Sequence, residues 1–261
     1  MRNFPLFSFF LFISSLFYAK QLIVATTTSL YETGLLDVLK KRFESNRDVQ
    51  LVFVAVGSGM AMKMGERGDA DLLLVHSPED EEKFMSEGLG IKRVSFMYSD
   101  FVLVGPSEGP KQIFKDIFSF MKYISDHQLL FVSRADNSGT HKKELQLWQL
   151  SGITPKGKWY HEAGVGMSQT LFIANELRAF CLADRATFEM LKDKLDMRIY
   201  FEGEEILKNV YSVILVKPTN NKRINYEDAQ KFLDFLLEDG TLELIENYSL
   251  NGTKPFKTLR P

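Results

Sequence analysis

Short runs that are apolar on both faces alternate with amphipathic helical patterns through the first third of the chain. Leu22-Ile23-Val24-Ala25 reads as a strand covered on both sides, and the polar corner Thr26-Thr27-Thr28-Ser29 follows it. A helical spacing through Leu30, Leu35, Leu36, Leu39 and Phe43 comes next. Val49 to Val56 gives a second strand and Val56-Gly57-Ser58-Gly59 a second corner. The spacing then predicts a brief helix from Met60 to Met64, stopped by Gly65 and Gly68, with its methionines packed on the sheet. Asp71 to His76 is a third strand, and Pro78 with the acidic run Glu79 to Glu82 suits the first turn of a helix. Such alternation predicts an α/β fold with a doubly wound or related parallel sheet.

The rhythm then changes. Val94 to Val104 is a long apolar stretch interrupted by Tyr98-Ser99-Asp100, and Val210 to Val216 is a second extended stretch. Two such strands let a chain cross into a second domain and return; one continuous sheet is the alternative. The middle segment has apolar residues for its own core. A helix is expected over Ile113 to Ile124, a strand over 129–132, a helix over 138–150 and an apolar helix near 167–180. The pattern Tyr226, Ala229, Phe232, Leu233, Leu236 and Leu237 packs back on the first domain. Between the strand and helix of the middle segment stands a third corner, Ser133-Arg134-Ala135-Asp136-Asn137-Ser138-Gly139-Thr140-His141. A helix N-terminus presents free N–H groups at the positive end of its dipole, and arginine adds a permanent charge in a rigid fork. Three corners of this kind point to an oxyanion site.

The net charge of −2 argues against a nucleic-acid or anionic-membrane partner but not against a small anion, which local donors capture. Residues 1–19, with Arg2, a Phe- and Leu-rich run and no acidic residue, read as a secretory signal peptide cut near Ala19. Cys181 is the single cysteine, so no intrachain disulfide forms, and its apolar neighbours suit a buried thiol. Asp69 and Asp71 suit turn and cap roles. His76, His127, His141 and His161 show no zinc spacing, and Ser138 with His141 lacks the elbow of a nucleophile. No Walker loop or dinucleotide fingerprint is present, so neither an enzyme nor a cofactor is expected.

Taken together, Ala25 to Ser29, Val54 to Gly59, Gly68 to His76, Met97 to Val102, Ser133 to Lys143, Gly164 to Met167 and Ala183-Asp184-Arg185 resemble motifs of the tungstate-binding proteins of bacterial ABC importers. The resemblance covers essentially the whole mature chain. It implies a two-lobed periplasmic binding-protein fold of type II, each lobe a mostly parallel sheet flanked by helices. Lobe 1 would comprise 20–102 and 212–261, and lobe 2 would comprise 103–211, with the ligand cleft between them. It implies that Thr27, Thr28, Ser29 and Ser58 contact the anion from one lobe, and Arg134, Ser138, Gly139 and Thr140 from the other. It further implies a periplasmic protein that delivers tungstate to a membrane permease. Residues 1–19, with no second hydrophobic span and no cysteine placed to carry a lipid, lead to the expectation of a soluble, exported, monomeric mature chain. Molybdate, another tetrahedral oxyanion such as phosphate, or a sensory oxyanion-binding module are the alternatives. The chain departs from the family pattern at Asn137, where a second aspartate is usual, and at Ala135, where glycine is common. Ser58 stands where threonine is common, and Leu30-Tyr31 replaces small polar residues. Asp136 is ambiguous: facing the ligand it would suit a protonated phosphate, and turned away it would orient Arg134 or cap a turn.

Overall fold

Strand β1 (Lys20–Thr27) opens the described part of the chain; the computed structural model describes residues 20–218 and 224–260. The expected signal peptide, residues 1–19, lies outside the described residues. β1 passes directly into α1 (Thr28–Glu32), and α2 (Leu35–Glu44) follows. The spacing from Leu30 to Phe43 suggested one helix, but Gly34 at φ 77° divides it, a conformation that glycine adopts without strain. The apolar residues of that pattern are all buried regardless. β2 (Val49–Val56) leads to α3 (Ser58–Arg67), which runs through Gly65 and ends at Gly68, φ 68°. Gly65 does not stop the helix as expected. A Cβ there would lie 2.9 Å from Leu73 and 3.0 Å from Phe84, so the glycine allows helix and sheet to approach. β3 (Leu72–Val75) and α4 (Pro78–Ser86) follow, with Pro78 and the acidic side chains in the first turn of α4. Asp71 accepts from the backbone N–H of Ile23 at 2.8 Å and of Asn225 at 2.7 Å, tying β3 to β1 and to the C-terminal helices.

Strand β4 (Gly90–Pro106) is continuous through Tyr98-Ser99-Asp100, where the sequence suggested an interruption. Its first part pairs with β9 (Lys208–Val216) as far as Asp100 opposite Lys208, and its last part pairs with β7 and β8. The polar residues at 98–100 mark this change of partner. Between β4 and β9 lie α5 (Ile117–Asp126), β5 (Phe131–Ser133), α6 (Gly139–Leu150), β6 (Tyr160–Glu162), α7 (Met167–Glu176), β7 (Cys181–Asp184), α8 (Arg185–Leu191) and β8 (Met197–Phe201). α5 starts four residues later than predicted because Asp116 caps it, accepting from Ser119 N–H at 2.8 Å in a capping box. α7 ends at Glu176, earlier than predicted, and Arg178 at φ 51° turns the chain toward β7. α9 (Tyr226–Leu237), α10 (Asp239–Asn247) and the short β10 (Lys257–Thr258) complete the chain.

β1 is parallel to β2 on one side and to β3 on the other, and β5 is parallel to β6, as the α/β reading requires. The sheets are less uniformly parallel than expected. β9 and β4 run antiparallel to their neighbours because they carry the chain out and back rather than through helical crossovers. The buried apolar residues fall into clusters on either side of this long pair. Those around Leu36, Phe43, Phe232 and Leu236, and around Ala25, Met62 and Leu73, belong to the first and last thirds of the chain, joined by Ala186. Those around Phe120, Phe131 and Trp148, and around Val132, Leu171 and Cys181, belong to the middle segment. No helix of the described residues is long and apolar enough to cross a membrane.

Candidate functional site

The three corners stand at the C-terminal ends of strands, where open α/β sheets place their ligands. Thr27 is register partner of Val56, so β1 and β2 end flush and Ser58 emerges beside the Thr27 to Ser29 corner. On the other side of β1, Thr26 pairs with Leu74, which brings His76 just past the end of β3. Thr27, Ser29 and Ser58 are buried, Thr28 half-buried. Thr27 caps α1, its Oγ1 accepting from Leu30 N–H at 3.4 Å and lying 3.5 Å from Ser29 Oγ. No side chain caps α3, so its first turn presents backbone N–H groups beside the Ser58 hydroxyl.

The third corner is built by a tight turn after β5. Ala135 (φ 49°) and Asn137 (φ 58°) both adopt left-handed conformations, which accounts for glycine being common at position 135 in the resembling family. Ser133 Oγ accepts from Ala135 N–H at 3.2 Å and holds the turn. Asp136 Oδ2 receives Arg134 Nη2 at 2.5 Å, while Oδ1 accepts from Ser138 N–H at 3.1 Å. Both carboxylate oxygens are therefore engaged within the turn, and Asp136 orients Arg134 and closes an Asx-type turn. Ser138 caps α6, accepting from His141 N–H at 3.3 Å. Thr140 Oγ1 receives Arg134 Nη1 at 3.4 Å. His141 Nδ1 accepts from Asn137 N–H at 3.1 Å, so Ser138 and His141 serve the turn and not a nucleophile–base pair.

One polarity runs through these bonds. A hydroxyl has one proton to give and lone pairs to receive with. Ser138 and Thr140 each receive a bond from the protein, which leaves each O–H free to donate outward, and the paired hydroxyls of Thr27 and Ser29 keep one such O–H between them. Arg134 is 5% exposed, and its Nε–H has no partner among the described residues; nor does the buried hydroxyl of Thr26. A buried guanidinium with an idle N–H is costly unless a further acceptor is supplied. The constellation is thus arranged to surround a species that only accepts.

The two sides meet at His76. A Cβ on Gly139 would lie 3.1 Å from the His76 carbonyl oxygen and 3.2 Å from its ring, so this glycine permits contact between α6 and the end of β3. Burial holds the His76 imidazole down at about 4, with Asp184 and Asn209 opposing that shift and Arg134 reinforcing it. His76 is neutral at physiological pH and brings no second cation to the corner. Its Nδ1 lies 2.8 Å from Asn209 Oδ1 on β9, and its ring lies 4.9 Å from that of Tyr211. Two polar contacts add to the join: Lys142 with Asp80, and Ser168 Oγ donating to Glu32 at 3.0 Å. Sequence reasoning weighed His76 only as a metal ligand. No group of three or more histidine, cysteine or carboxylate side chains among the described residues is arranged to hold a metal ion.

The long shared strands, two bodies of core and a donor-lined junction between them define a two-lobed solute-binding class, and the sequence model for the PBP superfamily domain matches residues 18–239. The chain is 44% identical over 231 residues to a tungstate-binding protein, TupA, from Peptoclostridium acidaminophilum, covering 87% of this chain and 81% of that one. A TupA tungstate-binding protein from Campylobacter jejuni is 41% identical, covering 84% and 83% of the two chains. Among solved structures, the tungstate-binding protein TupA of Desulfovibrio alaskensis superposes with a TM-score of 0.82 at 36% identity, covering 93% of this chain and all of that one. The chain belongs to the TupA family of tungstate-binding proteins within the PBP superfamily.

Proposed function

We propose that this chain is the substrate-binding component of a tungstate ABC importer, a binding protein that captures the dianion in the periplasm and delivers it to the permease. The observation that carries this reading is the idle, buried Nε–H of Arg134 among hydroxyls that accept from the protein and keep an O–H to donate. Tungstate at neutral pH accepts at every oxygen and donates at none, which is the complement of such a site. Asp136 supports the same choice, since its carboxylate is turned within its own corner to Arg134 and the Ser138 N–H. Thr27, Thr28, Ser29 and Ser58 hold the anion from lobe 1, and Arg134, Ser138, Gly139 and Thr140 from lobe 2. The names of the relatives support tungstate over molybdate. Export by residues 1–19 and a monomeric mature protein complete the proposal.

Calorimetry with four anions tests it. Tungstate binds 1:1, molybdate comparably or more weakly, and sulfate and phosphate much more weakly. A donor left unpaired or a proton left unaccepted costs about 1–3 kcal/mol each. Phosphate binding as tight as tungstate binding rejects the proposal.

The lobes, 20–102 with 212–261 and 103–211, close on the anion about β4 and β9. Gly139 gives a direct test, because closure brings its backbone against His76. Gly139→Ala is expected to weaken tungstate by about tenfold, within the usual 1–3 kcal/mol of overpacking. In solution scattering it should leave the bound form with a larger radius of gyration than the bound wild type. Unchanged affinity and radius reject closure through this contact.

A further inference from the structure

Glu144 is an unusual side chain to find behind an anion site. It is 2% exposed and sits one helical turn beyond Thr140 on α6, on the same face of the helix. Trp148 Nε1 and the Tyr160 hydroxyl both donate to its Oε1, at 3.1 and 2.7 Å. Ser133 lies beside the same carboxyl. Ser133 is the residue before Arg134, and its oxygen in turn receives Ala135 N–H at 3.2 Å. The carboxyl of Glu144 therefore stands directly behind the strained turn that aims Arg134, with Ser133 between them. No cation is bonded to this carboxyl among the described residues.

Burial pushes the Glu144 carboxyl up to about 7, and the neighbouring charge of Glu162 adds to that shift. The neighbouring Ser133, Tyr160 and Trp148 pull the other way without overcoming it. The groups facing it are Ser133 from β5, Tyr160 and Glu162 from β6, Cys181 from β7 and Trp148 from its own helix. Burial pushes the hydroxyl of Tyr160 and the thiol of Cys181 well above their usual ranges, so neither gives up a proton at neutral pH. Burial lowers the His141 imidazole below its ordinary value and His76 still further, so above pH 7 both are neutral. Glu144 is then the group behind the site that changes charge between pH 7 and 8.5.

We propose that Glu144 is a positioning residue that takes up a proton from solvent when a dianion binds at the Arg134 corner. The inference rests on the tungstate reading. A dianion one helical turn away repels an ionised carboxylate through a poorly screened interior and favours the neutral acid. The proton goes to the carboxyl, the bonds from Trp148 and Tyr160 to Oε1 are retained, and the site loses one negative charge as it gains two. Because the bound state holds more protons than the free state, affinity falls as pH rises through the titration of Glu144.

The test is calorimetry of tungstate binding to the mature protein at pH 7.3 in two buffers of different ionisation enthalpy, repeated from pH 6.5 to 8.5. We expect uptake of about 0.3–0.5 proton per anion and affinity weakening about two- to sixfold across the range, as a shift of half to one pK unit requires. Glu144→Gln should bind tungstate with no proton uptake and a flat pH profile, whereas a merely structural role would lower affinity and leave the profile unchanged. Should that variant not fold, Tyr160→Phe removes one donor and is expected to move the midpoint of the profile to higher pH. Binding without proton uptake by the wild type, uptake undiminished in Glu144→Gln, or an unmoved midpoint in Tyr160→Phe overturns the inference and leaves the tungstate reading standing. A wild-type chain that binds no tungstate overturns both.

Discussion

Replacing Arg134 by alanine is expected to weaken tungstate binding by about 2–5 kcal/mol, the range seen when one partner of a buried, hydrogen-bonded charge pair is removed. The residue holds the site in two ways. Its guanidinium supplies the charge and the idle Nε–H, and its other nitrogens fix Asp136 and Thr140. Alanine deletes both and leaves the Asp136 carboxylate, 21% exposed, without its cation beside an incoming dianion. Arg134→Lys should recover only part of the loss, because an ammonium cannot serve Asp136, Thr140 and the anion with one planar fork. Thr140→Val keeps the shape, removes one hydroxyl and should cost less, about 1–3 kcal/mol. Calorimetric titration of the three variants gives the order directly. An Arg134→Ala protein that binds within threefold of wild type would remove the arginine from the site.

Phe232→Ala is expected to destabilise the protein by about 3–5 kcal/mol, the usual cost of deleting a fully buried aromatic side chain. The ring on α9 is fully buried, edge-on to Phe43 of α2 at 5.0 Å and stacked with Phe235 at 5.9 Å. It therefore joins the last third of the chain to the first. Its loss opens a cavity between two helices that cannot collapse on each other, since α2 is also held by its burial against the sheet. The midpoint of thermal unfolding should fall by roughly 10 °C, at about 2–4 °C per kcal/mol for a chain of this size. Tungstate affinity below that midpoint should be unchanged. A shift under about 3 °C would mean that α9 contributes little to this core.

The α/β class, the three corners and the long crossing strands were legible because each leaves a local trace. Strand faces show in runs such as Leu72 to Val75, and a cap shows in Ser138-Gly139-Thr140. Errors fell where a distant partner decides the outcome. Gly65 looked like a helix stop because the sequence does not reveal Leu73 and Phe84 against it. Tyr98-Ser99-Asp100 looked like a break because the sequence does not show one strand passing there from one partner to another. His76 and Glu144 gave no signal of their own. One matters through a glycine that follows it by more than sixty positions, and the other through Ser133 and Tyr160. The turn of Asp136 toward Arg134 could be posed as a question from sequence but only settled by geometry.

The pairing of Asp100 with Lys208 has a modular consequence. The chain leaves the first sheet and rejoins it at directly opposite positions of one antiparallel pair, one strand spacing apart, about 5 Å. Residues 101–207 are, in connectivity, a cassette spliced into a β-hairpin. Strand pairing fixes only its two ends; what else ties it to the host are contacts such as Ala186 in the first core and Ser168 with Glu32. With its two ends held side by side, such a segment can lengthen or shorten in its loops without moving the strand ends that anchor it.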